Sequence, residues 1–169
     1  MKISVESVKE LRNRTNVGIA DCNKALLEVG GDIEKAIEIL KQRGVAIAEG
    51  KKDVAASEGV IEAYIHHTRR IGVLVELNCE TDFVARTAEF KELAHDLAMQ
   101  IAATAPQFLT SEEMPPKAET DPQEACLLNQ PSIKEPDKTV QEIIAETIAK
   151  LGENIKVRRF ARFALGVDH

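Results

Sequence analysis

At 169 residues, with 44% hydrophobic and 30% charged side chains, the chain fits one medium domain, or one domain with a small module, and buries enough surface to fold without disulfides or metals. A net charge of −6, gathered in the middle of the chain, argues against a phosphate-backbone partner, which needs a continuous basic surface. With no Trp and one Tyr there are few platforms for stacking nucleobases, so no nucleic-acid partner is expected.

Three scattered cysteines, Cys22, Cys79 and Cys126, form no CxxC pair and fit a reducing compartment. Residues 1–7 carry charges where a signal peptide needs an apolar run, and no stretch is long and apolar enough to span a membrane. A cytoplasmic protein without membrane contact is expected.

Residues 1–44 read as a three-helix module. Ser4 stands where a cap would, with Glu6 in the first turn and Val5, Val8 and Leu11 along one face. The break Thr15-Asn16-Val17-Gly18 leads to a second helix with Ile19, Cys22, Ala25, Leu26 and Val29 at helical spacing. Gly30-Gly31 ends it, and Asp32 caps a third helix with Ile33, Ala36, Ile37 and Leu40 inward and Gly44 as its stop. A core this small suits partner binding and is too small for a catalytic pocket. The Ala-rich, charged stretch 45–58, with Gly50 inside it, reads as a tether.

From residue 59 the period becomes alternating. Ile61, Ala63 and Ile65 share one face; Ile71, Val73, Val75, Leu77 and Cys79 share another; Thr68-Arg69-Arg70 between them predicts a hairpin. A long helix is predicted from about Ala85 to Thr104, with Phe90, Leu93, Leu97 and Ile101 in one stripe. All six prolines then fall in the acidic segment 106–137, which reads as a long loop. A last helix, Thr139 to Leu151, stops at Gly152, and Ile155 to Leu165 reads as a strand with Phe160 and Phe163 on opposite faces. The fold class is α+β: a helical module followed by a core, 59–169, with a small antiparallel sheet.

Catalytic residues, metal ligands and cofactors are not expected. His66-His67 falls in a predicted strand, where neighbouring side chains point to opposite faces and cannot share a metal. Cys79 lies on an apolar strand face and reads as a small buried hydrophobe. The glycines form neither GxxxxGK nor GxGxxG. The basic run Lys156, Arg158, Arg159, Arg162 reads as a solvated strand edge or a protein contact. One segment stands out: Glu80-Thr81-Asp82-Phe83-Val84-Ala85-Arg86 joins the alternating strand to the long helix. Either Thr81 or Asp82 caps that helix with Phe83 packed as a staple, or the segment presents an acidic-aromatic tip to a partner.

Three stretches, in order, carry a family resemblance. They are Val8-Lys9-Glu10-Leu11-Arg12 through Gly31-Asp32-Ile33-Glu34-Lys35-Ala36-Ile37, then Ile71-Gly72-Val73-Leu74-Val75-Glu76-Leu77-Asn78-Cys79-Glu80-Thr81-Asp82-Phe83-Val84-Ala85-Arg86, and finally Gly152-Glu153-Asn154-Ile155 with Arg158-Arg159-Phe160. In these the chain resembles the short, single-core form of translation elongation factor Ts. The resemblance implies that the first module is ubiquitin-associated-like and meets its partner through Arg12, Val17, Gly18 and Ile19. It also implies a non-enzymatic guanine-nucleotide exchange factor that binds the GTPase domain of elongation factor Tu. In that family Thr81-Asp82-Phe83-Val84 is the part that displaces Mg²⁺ from the nucleotide site, and short members form homodimers that join two copies of elongation factor Tu.

The chain departs from the pattern in two places. It has a proline-rich loop where short members carry a helical insertion, and its hairpin turn at 68–70 lacks a glycine. A non-exchanging adaptor is the rival reading, but an adaptor has no use for the tip at Asp82-Phe83. A small hydrolase using Cys79 or Cys126 has no motif behind it.

Overall fold

The computed structural model describes residues 3–15 and 17–167. Helices α1 (Val5–Thr15), α2 (Ile19–Glu28) and α3 (Ile33–Lys51) come first, followed by strands β1 (Glu58–Ile65) and β2 (Ile71–Cys79). A one-turn α4 (Asp82–Ala85), the long α5 (Ala88–Thr104), a short α6 (Pro122–Ala125), α7 (Val140–Leu151) and β3 (Lys156–Ala164) complete an α+β fold.

Polar caps set the helix ends. Ser4 Oγ accepts from the Ser7 amide at 3.0 Å, and Asp32 from that of Lys35 at 3.1 Å. Thr139 and Glu142 satisfy each other's backbone in a capping box at the start of α7. At the end of α2, Gly30 and Gly31 take φ of 67° and 93°, and the Gly31 amide reaches back to the Leu26 carbonyl at 2.8 Å. That six-to-one bond is open to residues free to adopt positive φ. The first three helices close over their own core of Leu11, Cys22, Ala25, Leu26, Ala36 and Leu40.

Gly44 does not stop α3. The helix continues to Lys51 and takes in the first half of the stretch 45–58 that reads as a tether, leaving 52–57 outside regular structure. Gly44 is buried where α3 lies on α7, and a Cβ there would stand 3.5 Å from the Ala149 methyl. A mid-helix glycine costs about 0.5–1 kcal/mol relative to alanine; close packing of the two helices offsets it. Of the residues at helical spacing on α2, Cys22, Ala25 and Leu26 are buried and Ile19 is 57% exposed.

The sheet order is β1-β2-β3, antiparallel throughout, with β2 in the centre. Its alternation puts Val73, Val75, Leu77 and Cys79 against the stripe Phe90, Leu93, Leu97 and Ile101 of α5 and against Ile144 and Ile148 of α7. Phe160 of β3 joins that core, whereas Phe163 faces outward. The face shared by Ile61, Ala63 and Ile65 is the outer one: Ile61 is 67%, Ile65 64% and Leu74 48% exposed.

The hairpin turns through Arg69, whose φ of 56° is left-handed, and closes with the His66 amide on the Ile71 carbonyl at 2.9 Å. A non-glycine residue there costs about 1 kcal/mol. Arg69→Gly should therefore raise Tm by a few degrees, and a lowered Tm in thermal melting would show the strain to be absent. Because β1 ends at Ile65, His66 and His67 sit in the turn and not in a strand. Their rings lie side by side, centroids 4.1 Å apart, so the expectation of opposite faces fails.

The segment 106–137 is largely irregular, as its prolines dictate, but it is fixed to the core. Cys126 and Leu127 are fully buried. Gln130 Nε2 donates to the Glu124 carbonyl at 2.7 Å, and its Oε1 accepts from Gln100 Nε2 at 3.2 Å and Thr104 Oγ at 2.7 Å. These buried amides tie the segment to the end of α5.

Candidate partner-binding corner

The link from β2 to α5 is two helical starts in succession. Thr81, in extended conformation, caps α4 with its Oγ accepting from the Val84 amide. Six residues on, Thr87 caps α5 by accepting from Phe90, while its own hydroxyl donates to the Val84 carbonyl at 2.8 Å. The long helix thus begins at Ala88 and not near Ala85, and Thr81 caps the separate single turn before it. That turn sends Val84 and Ala85 toward the core and Phe83 outward, 79% exposed. Phe83 is no core staple. Asp82 beside it pairs with Arg86 at 2.8 Å, both side chains facing solvent.

The base of the corner is bound from several sides. Glu153, in the turn after α7, accepts from the Glu80 amide at 3.1 Å and the Thr81 amide at 3.0 Å through Oε2, and from the Thr81 hydroxyl at 2.5 Å through Oε1. Cys79 Sγ donates to the Thr81 carbonyl at 3.1 Å. Burial, then the charge of Glu153, pushes the Cys79 thiol up to about 11. It therefore stays protonated at neutral pH and serves as a weak donor rather than a nucleophile.

Glu80 Oε1 accepts from the Asn154 amide at 2.6 Å and pairs with Lys51 at 2.9 Å, at the end of α3. The Asn154 amide first, then Lys51, hold that carboxyl below the usual carboxylate range. Asn154 Nδ2 donates to the Val54 carbonyl at 2.7 Å. Two distant parts of the chain, the end of α3 and the turn after α7, thus converge on Glu80 and Thr81. Lys51, Glu153 and Asn154 escape sequence reasoning because their bonds to Glu80 and Thr81 cross long separations.

The second predicted surface lies between α1 and α2. Arg12 and Gly18 are exposed there with Ile19, whereas Val17 is half-buried against the core of the three helices. Asn16, in the same break, lies outside the described residues. Of the basic run, Arg158 and Arg159 both approach Glu76, at 3.6 and 2.7 Å, and Arg162 donates to the Ala102 carbonyl at the end of α5. Among the described residues no group of three or more His, Cys, Asp or Glu is placed to hold a metal ion, and no helix is long and apolar enough to cross a membrane. A cavity of about 600 Å³ lies between α3, α7 and β3, with Val45, Ala48, Ile148 and Val157 in its walls, and Phe83 is not among its lining.

The structure thus pairs a three-helix module with an α+β core that carries an exposed aromatic, Phe83, on a bound corner. A family model described as elongation factor TS matches residues 6–123. Elongation factor Ts of Carboxydothermus hydrogenoformans is 50% identical over 97% of this chain and 89% of its own length. Elongation factor Ts of Desulforamulus reducens is 49% identical over 98% and 90%, and that of Syntrophomonas wolfei 49% over 97% and 91%. The chain belongs to the elongation factor Ts family, a family of translation factors. The first of these alignments runs over 194 positions against a chain of 169 residues, so that relative holds residues with no counterpart here.

Proposed function

We propose that the chain is a guanine-nucleotide exchange factor of translation elongation, which binds the GTPase domain of elongation factor Tu in the cytoplasm and speeds its release of GDP. The observation that carries this reading is the exposure of Phe83 at a corner whose base is held by Glu153, Asn154 and Lys51. An aromatic held rigidly in water is costly unless a partner covers it, and rigid aromatics are the anchors of interfaces.

The mechanism is linkage. A factor that prefers the nucleotide-free partner lowers nucleotide affinity by the same ratio by which nucleotide lowers its own. A ten-thousandfold faster release needs about 5.5 kcal/mol off the barrier. Loss of the bound Mg²⁺ supplies energy on that scale, because the ion is the largest local charge at a phosphate site. In this reading Phe83 wedges into the partner, Asp82 is carried toward the metal site, and Thr81 and Val84 root the tip in the core. The factor performs no covalent chemistry and needs no cofactor of its own. Two copies associate through the outer face of the sheet, giving a two-plus-two complex.

The module surface at Arg12, Val17, Gly18 and Ile19 supplies docking. Ile19→Asp places a carboxylate in an apolar contact without touching the module core. The concentration for half-maximal exchange should rise about tenfold with the saturated rate unchanged; a lower saturated rate would assign this module to the release step. The reading as a whole is tested by titrating the chain into elongation factor Tu, nucleotide-free and loaded with GDP and Mg²⁺. Much tighter binding to the nucleotide-free form is expected. Equal affinities would refute exchange and leave the adaptor reading.

A further inference from the structure

The corner that carries Phe83 is held by Glu153, in the turn after α7. Glu153 lies 72 residues along the chain from Thr81, yet its single carboxylate accepts from three donors on the two residues that lead into α4. With the Cys79 thiol on the Thr81 carbonyl, the amide, hydroxyl and carbonyl of Thr81 are all bound. Thr81 is the cap of α4, so its φ of −128° and ψ of 155° set the direction of the single turn on which Phe83 stands. A four-residue helix has no stability of its own. Its orientation comes from what grips its first residue.

We infer that Glu153 is a positioning residue for nucleotide release. By fixing the backbone of Glu80 and Thr81 it holds Phe83 in the direction from which it enters the partner, so that binding need not order the tip. The inference rests on the proposed exchange function and deepens it. Glu153 is half-buried and acts through Thr81. Preorganisation of this kind acts on the rate, since a displacement of about 1 Å at a reacting contact can cost two orders of magnitude. Docking through the α1–α2 surface is left intact, because α1 and α2 pack over a core of their own, away from Glu153's bonds.

The test compares Glu153→Ala and Glu153→Gln with the unaltered chain, at a temperature well below every variant's Tm. Glutamine keeps an oxygen for the two backbone amides, and its NH₂ can donate to the Thr81 hydroxyl, so it restores position without charge. With saturating factor, GDP release by the alanine variant should be about tenfold slower. The half-saturating concentration should stay within about twofold, and the glutamine variant should recover to within about threefold of the unaltered rate. An alanine variant with a full saturated rate overturns the inference, as does a glutamine variant as slow as alanine.

If the alanine variant does not fold, Glu153→Asp, whose carboxylate is drawn back by one methylene, is read by the same rate criterion. Amide hydrogen exchange of residues 80–87 in the free chain gives a reading independent of activity. Protection should fall at least about tenfold in the alanine variant, and unchanged protection overturns the inference. An unaltered chain that does not speed GDP release refutes the exchange function instead, so the two failures are told apart.

Discussion

Phe83→Ala should cut the saturated rate of GDP release about thirtyfold while leaving Tm within about 2 °C of the unaltered chain. The first number follows from the loss of an aromatic anchor worth about 2 kcal/mol, converted to a rate because the wedge acts as nucleotide departs. The second follows from exposure: a side chain 79% in solvent contributes little to the core, and surface substitutions shift stability by about 0.5 kcal/mol or less. A core phenylalanine such as Phe90, fully buried, would cost about 3–5 kcal/mol on truncation and lower Tm by many degrees. Asp82→Asn isolates the charge, since Thr81 and not Asp82 caps α4. It removes the pairing with Arg86 and should slow release less than Phe83→Ala does. Saturated rate and Tm are measured on the same preparations. A well-folded Phe83→Ala protein with full activity would remove the tip from the mechanism.

Leu74→Glu should convert a dimer into a monomer, read as a halved mass in light scattering at micromolar concentration. Leu74 is on the central strand, with Ala63 opposite it on β1 and Ala161 on β3, and Ile61 and Ile65 lie exposed on the same face. This apolar face, edged by the Glu76 and Arg159 pair, can meet its own copy across a two-fold axis. A glutamate at its centre would be buried unpaired in each subunit, opposite or beside its symmetry mate, which costs several kcal/mol. Folding of the monomer is unaffected, because Leu74 points away from α5 and α7. An unaltered chain with a monomer mass would end the dimer proposal, and a dimer that survives Leu74→Glu would move the interface elsewhere.

Most of the architecture is written in local pattern. The alternation from Ile71 to Cys79 and the stripe from Phe90 to Ile101 each match one period, and the structure builds them as a central strand and a long helix. Gly44 misleads because glycine is a common stop. The apolar spacing from Leu40 through Gly44 to Ala48 is the signal that the helix continues, and close approach to Ala149 is why a glycine stands there. The two starts at Thr81 and Thr87 are also legible in hindsight, since each is a threonine three residues before an apolar position that packs on the core. Exposure of Phe83 is not legible in local pattern; the family resemblance, which makes it part of a partner tip, is what points to it, and it is 79% exposed. A phenylalanine beside a cap can pack inward as a staple, and its direction depends on the turn that Thr81 and Thr87 impose together. The grip of Glu153 and Asn154 on that turn leaves no trace in sequence periodicity, because tertiary folding alone brings residues 80 and 153 together.

The most direct measurement is the rate of GDP release from elongation factor Tu in the presence of Mg²⁺, followed with fluorescent GDP, at rising concentrations of the chain. A saturating acceleration of several orders of magnitude is expected, which excess Mg²⁺ reduces. A release rate unchanged by the chain, under conditions where the two proteins demonstrably form a complex, would contradict the exchange function.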